Sequence, residues 1–291
     1  MNEFVSDVDI LNRIESELGR MSKAQKNIAQ YILNNYDKAS FMTAASLGKK
    51  VGVSESTVVR FATHLGFDGY PSLQKSLQDI VKNKLTTLQR VDMSSELFND
   101  SDILQSVMNF DIARIRATIE TVDREEFKKA VDTIADADDI FILGTRSSFA
   151  LSQFMSVYLN YMFDHVRNVN SNSSSGIFDQ IFKISENDVF IAIGFPRYST
   201  TTIKAIKFAK DKNAKTIAIT DRADSPLAKS ADITLIAKSD MLSFIDTLVA
   251  PLSLINALII SLAAKIKDDI PSTFNELENI WKEYEVYQSR P

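Results

Sequence analysis

Four apolar runs of strand length, at 140–143, 189–193, 216–219 and 233–236, are separated by segments with helical spacing near 149–163, 176–184, 200–212 and 226–230. A strand that is apolar on both sides must be covered on both sides, and helices between successive strands supply that cover. The pattern predicts a parallel sheet between two helical layers, an α/β three-layer domain. A weaker run at 166–169 makes the sheet five-stranded.

Nothing of this kind occurs in residues 1–84. Val8, Leu11, Ile14 and Leu18 recur at intervals of three and four, which is helical spacing. Ser22 and Gln25 fit a capping box ahead of Ile28, Ile32 and Leu33, and Thr43 is placed to cap a helix bearing Ala44, Leu47 and Val51. Four of the eight glycines, at 48, 52, 66 and 69, punctuate this compact helical part. The stretch 85–102 lacks sustained periodicity and is expected to be a linker. A helix over 103–122 comes next, and Asp123 with Glu126 forms a capping pair, three residues apart, for the one after it. At 291 residues the chain is too long for one comfortable core. The expected domains are therefore 1–84, helical, and 103–291, α/β with flanking helices.

Composition removes several chemistries. With no cysteine there is no disulfide, thiolate metal site or cysteine nucleophile, and only His64 and His165 offer imidazole. No metal or cofactor is expected. The first residues lack a basic stretch followed by an apolar one, so a cytoplasmic protein is expected. The uncharged stretch 247–264 contains Pro251, Ser253, Asn256 and Ser261 and comes after an α/β pattern; it reads as a helix buried in the domain or at a subunit interface, not as a membrane span. The net charge of −5 is unevenly spread: residues 19–90 hold eleven Lys/Arg against four Asp/Glu, a local +7 that leaves −12 on the remainder. A basic module for a polyanion joined to an acidic body has that distribution.

Residues 44–66 specify the polyanion. A first helix ends at Gly52, Val53 anchors the turn, and Ser54 caps a second helix whose Val58, Phe61, Ala62 and Leu65 face inward. Glu55, Ser56, Arg60, Thr63 and His64 then lie outward with Thr57 near the edge, the layout of a helix that enters a major groove. Arg60 is the candidate for guanine, because its planar fork bonds O6 and N7 together; Lys49 and Lys50 are candidates for phosphate, and His64 needs no metal or catalytic role there. The run from Val53 to Gly69, V-S-x-x-T-V-x-R-F-x-x-x-L-G-F-x-G, resembles the amino-terminal domain of the RpiR/MurR family of bacterial transcription regulators. The resemblance implies double-stranded operator DNA as a partner. Paired readers imply a homodimer or a dimer of dimers.

In an open parallel sheet, ligands sit beyond the carboxyl ends of the strands where the strand order reverses. Two strand-to-helix turns there are rich in hydroxyls: Thr145, Arg146, Ser147 and Ser148 come after the first run, and Arg197, Ser199, Thr200 and Thr201 after the run at 189–193. Helix amino termini with Ser/Thr hydroxyls hold phosphate, and the two arginines can pair with it or with a sugar-acid carboxylate. Neither the dinucleotide glycine triad nor a P-loop is present. The Ser/Asn tract 170–176 also borders this crevice. The run from Thr220 to Ala228 and on to Asp232, T-D-R-A-D-S-P-L-A and then S-A-D, resembles the sugar isomerase (SIS) domain that the same family joins to its DNA reader. The glycine-rich phosphate loop of many SIS domains is replaced by Gly194-Phe-Pro-Arg-Tyr-Ser-Thr-Thr. The resemblance implies a non-catalytic domain that binds a sugar phosphate effector. The rival is an aldose–ketose isomerase, which needs a base in the crevice; Glu186 lies before a strand and His165 at a helix end, so neither is expected there.

Overall fold

The computed structural model describes residues 9–84, 102–171, 173–240, 245–267 and 270–287. It divides into two compact units, Met1–Asp100 and Ser101–Pro291. Val8 and all of the expected linker except residue 102 lie outside the described residues. Asp102 belongs to the second unit, since its carboxylate accepts a hydrogen bond from the Gln105 amide and caps the first helix there.

The first unit is helical: α1 (Asp9–Glu17), a 3₁₀ turn at Leu18–Arg20, α2 (Lys23–Asn34), α3 (Tyr36–Ala39), α4 (Ala44–Val51), α5 (Glu55–His64) and α6 (Tyr70–Lys84). The expected caps form. Ser22 Oγ accepts from the Gln25 amide at 3.3 Å while Gln25 Oε1 accepts from the Ser22 amide at 3.0 Å, and Thr43 Oγ1 accepts from Ser46 at 3.1 Å. Ile14, Ile28, Ile32, Leu47, Phe61, Leu65, Leu73 and Leu77 are wholly buried in one core. The carbonyls left at the end of α3 and the turn after it would be costly to bury unpaired. Side chains of α6 satisfy them: Tyr70 Oη donates to Met42 O at 2.8 Å, Gln74 Nε2 to the same oxygen at 2.9 Å, and Gln78 Nε2 to Ser40 O at 3.0 Å. Burial pushes the Tyr70 phenol up to about 12, so it remains a donor throughout the neutral range.

The second unit runs α7 (Ile103–Thr121), α8 (Arg124–Ala135), β1 (Ile140–Gly144), α9 (Ser148–Leu159), β2 (Val166–Asn168), α10 (Ser174–Ile181), β3 (Val189–Ile193), α11 (Thr200–Asp211), β4 (Lys215–Thr220), a 3₁₀ turn at Ala228–Ser230, β5 (Ile233–Ile236), α12 (Val249–Lys265) and α13 (Ile270–Glu283). The sheet order is β2-β1-β3-β4-β5 with every pairing parallel. Period-2 alternation divides the apolar strands between two cores. Ile140, Ile142, Ile191 and Ile217 pack with Ile134, Met155, Ile255 and Leu258 on one face. On the other, Phe141, Leu143, Phe190 and Ala218 pack with Ile181, Ile206 and Ala209.

Helix ends differ modestly from expectation. α9 stops at Leu159, where Asn160 Nδ2 donates to Ser156 O at 2.7 Å and caps the last turn. The segment expected to be helical at 226–230 is the single 3₁₀ turn, closed by Ser225 Oγ accepting from the Ala228 amide at 3.0 Å. The uncharged helix α12 buries Leu254, Ile255, Leu258 and Leu262 in the domain core. Among the described residues no helix is long and apolar enough to cross a membrane.

Two residues hold this unit in ways that can be tested. A Cβ added to Gly144 would stand 2.2 Å from Ser148 O, so α9 can start this close to β1 only because position 144 has no side chain. Gly144→Ala should lower the stability of this unit by about 1 to 3 kcal/mol or more, read as a lower urea midpoint; an unchanged midpoint would mean that the start of α9 moves aside freely. Asp232 accepts from Thr216 Oγ1 at 2.7 Å and the Thr216 amide at 3.1 Å, and pairs with Lys210 at 2.8 Å. Burial works against its ionisation, yet Lys210 and Thr216 outweigh burial and hold the carboxyl below its ordinary 3.8. A carboxyl depressed on folding contributes stability above its unfolded value and loses it as pH falls through the folded one. Asp232→Asn should therefore be destabilised at pH 7, and the gap from the parent protein should shrink in melts at pH values below the ordinary 3.8.

Candidate functional site

The two units hold separate candidate sites. In the first, the turn between α4 and α5 depends on Gly52, whose φ of 74° lies in the left-handed region that side chains disfavour. Ser54 Oγ then accepts from the Thr57 amide at 3.3 Å and fixes where α5 begins. Val58, Phe61 and Ala62 of α5 are buried, as is Leu65 just beyond it. Glu55, Ser56 and Arg60 are exposed on the other side and Thr57 is half-buried at the edge. Lys49 and Lys50 are exposed in the last turn of α4, just before this entry. His64 sits at the far end of α5, where its Nε2 is 3.9 Å from Glu17 of α1. Val59, absent from the outward set read from sequence, is 39% exposed on the same helix. An apolar side chain there is suited to a thymine methyl.

In the second unit the strand order reverses between β1 and β3, and the turns leaving their carboxyl ends line a cavity of about 590 Å³. From the first turn come Thr145, Arg146, Ser147 and Ser148, and from the second Gly194, Phe195, Pro196, Arg197 and Ser199. Arg146 has φ 57°, an uncommon conformation for a residue with a side chain, of the kind that collects at functional sites. Arg146 and Arg197 are exposed residues of the cavity lining, and among the described residues neither has an ion-pair partner. Thr145 Oγ1 and Thr202 Oγ1, 3.1 Å apart, link the two turns. Tyr198 Oη donates to Asp221 Oδ1 at 2.6 Å, anchoring the second turn to the end of β4; burial and the adjacent carboxylate push the phenol well up, so it stays protonated.

Ser148 and Ser199 line the cavity while also serving the starts of their helices, whereas other expected residues take other places. Ser148 is buried at the start of α9. Ser199 uses its Oγ to cap α11, accepting from Thr202 at 3.3 Å. Thr200 and Thr201 lie outside the cavity lining, and Thr201 Oγ1 is 3.2 Å from Ser174 Oγ. Of the tract 170–176, Asn170 and Ser171 line a smaller neighbouring cavity with Thr145 and Arg146, Ser173 caps α10, and Asn172 lies outside the described residues. His165 does not end a helix, as α9 stops six residues earlier; it directly precedes β2, and its carbonyl accepts from Ile140 at the opposite end of the sheet. Glu186 precedes β3 at that same end.

Sequence reasoning missed the rest of the cavity, which comes from Val107 and Asp111 of α7 and from residues 245–249. Asp111 Oδ1 accepts a hydrogen bond from Thr247 Oγ1, and Asp246 also lines the cavity. The spacing of Val107 and Asp111 is merely helical, so no motif marks them. Among the described residues no group of three or more acidic or imidazole side chains is arranged to hold a metal.

Known proteins agree with these two units. A model described as "Helix-turn-helix domain, rpiR family" matches residues 8–84, and one described as "SIS domain" matches residues 133–261. An uncharacterized HTH-type transcriptional regulator of Clostridium perfringens is 26% identical over 236 residues, covering 78% of this chain and 80% of its own. The HTH-type transcriptional regulator HexR of Pseudomonas aeruginosa is 26% identical over 234 residues, covering 78% of both chains. The Vibrio vulnificus NanR protein, solved in complex with ManNAc-6P, shares the fold with a TM-score of 0.59 at 19% identity, over 94% of this chain and 98% of that one. The chain belongs to the RpiR family of helix-turn-helix transcriptional regulators, with a SIS domain after its amino-terminal helix-turn-helix domain.

Proposed function

We propose that this regulator reads operator DNA through the exposed side of α5, and that a sugar phosphate bound in the SIS-domain cavity changes its DNA affinity without being converted. The observation that carries the effector half is the cavity at the β1/β3 reversal, where two strand-to-helix turns bring Arg146, Ser147 and Arg197 together. A dianionic phosphate suits two guanidiniums beside a helix start, and the NanR protein of the same fold was solved with a phosphosugar. The coupling required is about 1 to 3 kcal/mol between ligand and DNA, the usual size for such linkage. The protein works in the cytoplasm, where its operator is.

It acts as a homodimer or dimer of dimers. Ile103, Leu104, Met108, Ile112 and Ile119 of α7 are between 46% and 72% exposed, an apolar face on the first helix of the SIS-bearing unit. Covering that face with a second copy would tie the pairing of readers to the SIS domain. A monomeric mass by light scattering at micromolar concentration would contradict this.

An aldose–ketose isomerase is the second reading, and the carboxylates of Asp111 and Asp246 in the cavity are what favour it. Incubation of stoichiometric protein with hexose phosphates, monitored by NMR for hours, should show no interconversion; turnover would establish the isomerase.

Gel shifts on the DNA upstream of its own gene test the regulator directly. Arg60→Ala should cost about 1 to 3 kcal/mol and relax selectivity at one base position, whereas Lys49→Ala should weaken binding on all sequences and reduce the salt slope by about one. Unchanged operator affinity in Arg60→Ala would remove α5 as the reader. Replacing Ser147 and Arg197 together by Ala should leave DNA affinity without ligand near that of the parent and abolish the response to sugar phosphates; a normal response would put the effector elsewhere.

A further inference from the structure

The SIS-domain cavity has two chemically unlike walls. The turns after β1 and β3 contribute Arg146 and Arg197, while α7 and the segment leading into α12 contribute Asp111 and Asp246. Both carboxylates are half-buried. Asp111 is held in orientation by the Thr247 hydroxyl on its Oδ1. A dianionic phosphate against the cationic wall uses up both guanidinium charges. A second anionic group on the ligand would then face carboxylates in a partly desolvated space, where repulsion between like charges is only weakly screened. Hydroxyl, amine and amide groups behave in the opposite way, since each donates a hydrogen bond to a carboxylate, and such charge-assisted bonds are the strong ones.

We infer that the effector is a sugar phosphate with no second anionic group, and that Asp111 and Asp246 reject phosphorylated sugar acids while bonding the polyol end of the ligand. This inference rests on the sugar-phosphate reading of the cavity and narrows it. It also assigns the carboxylates a binding role, selecting among ligands by charge in the way that specificity is built from a repulsive element as well as an attractive one.

Calorimetric titration of the full-length protein tests it. The probes are glucose 6-phosphate, fructose 6-phosphate, glucosamine 6-phosphate and N-acetylmannosamine 6-phosphate, against 6-phosphogluconate and its 2-keto-3-deoxy analogue. The tightest binder should come from the first group and exceed both acids at least tenfold. Asp111→Asn should weaken that binder severalfold and strengthen the acids, narrowing the gap. Because Asp111 also bonds Thr247, Asp246→Asn provides a second variant with the same expected direction, and a cooperative thermal melt of each variant serves as the check that it is folded. An acid as tightest binder would overturn the inference while leaving sugar-phosphate binding intact. So would a preference unchanged in both variants. Failure of all six compounds to bind would overturn the sugar-phosphate reading itself and this inference with it.

Discussion

The close approach of α9 to the carboxyl end of β1 governs the architecture of the SIS domain. With no side chain at Gly144, the helix begins within van der Waals contact of the strand, and its first turn opens at the reversal point of the sheet. β3 lies alongside in parallel register, Gly144 opposite Ile193, so the turn after β3 leaves from the same level. Two helix starts are thereby brought side by side, and Thr145 bonded to Thr202 keeps them so. Everything that the cavity can do with an anion depends on that convergence.

The residues that most resemble the family in this domain are structural. Ser225 closes the 3₁₀ turn through the Ala228 amide and accepts from Thr220 Oγ1 at 3.2 Å. Asp221 holds Tyr198, and Asp232 holds Thr216 and Lys210. Thr216, Thr220, Asp221 and Ser225 are buried, and buried polar groups of this kind must be paired, so these residues satisfy hydrogen bonds at the ends of β4 and β5. None of Thr220, Asp221, Ser225 or Asp232 lines the cavity. The run from Thr220 to Asp232 thus anchors the second turn through Asp221 and Tyr198 and stays out of the cavity lining.

The helix-turn-helix rests on a comparable economy of local rules. A left-handed glycine ends α4, a serine starts α5, and three buried side chains fix the rotation of α5 about its axis. Once that rotation is set, Ser56, Val59 and Arg60 are all outward, two polar side chains and one apolar one on the same exposed helix.

Elements and their faces were legible in the sequence because they depend on neighbours a few residues away. The apolar runs, the caps at Ser22, Thr43, Ser54 and Asp123, the left-handed Gly52 and the two hydroxyl-rich turns all obey rules of period 2, of period 3.6 or of one turn of chain. Tertiary structure alone decided which side chains share the cavity. Asp111 meets Thr247 across 136 positions of sequence, and neither carries a local signal. Thr200 and Thr201 were marked by the same local rule as Ser199, yet the rotation of α11 against the sheet leaves them outside the lining. His64, marked as outward by helical spacing, comes within reach of Glu17 because α1 packs near the end of α5. Local periodicity sets the direction of a side chain relative to its own helix axis; what that side chain meets is set by long-range packing, which no short stretch of sequence encodes.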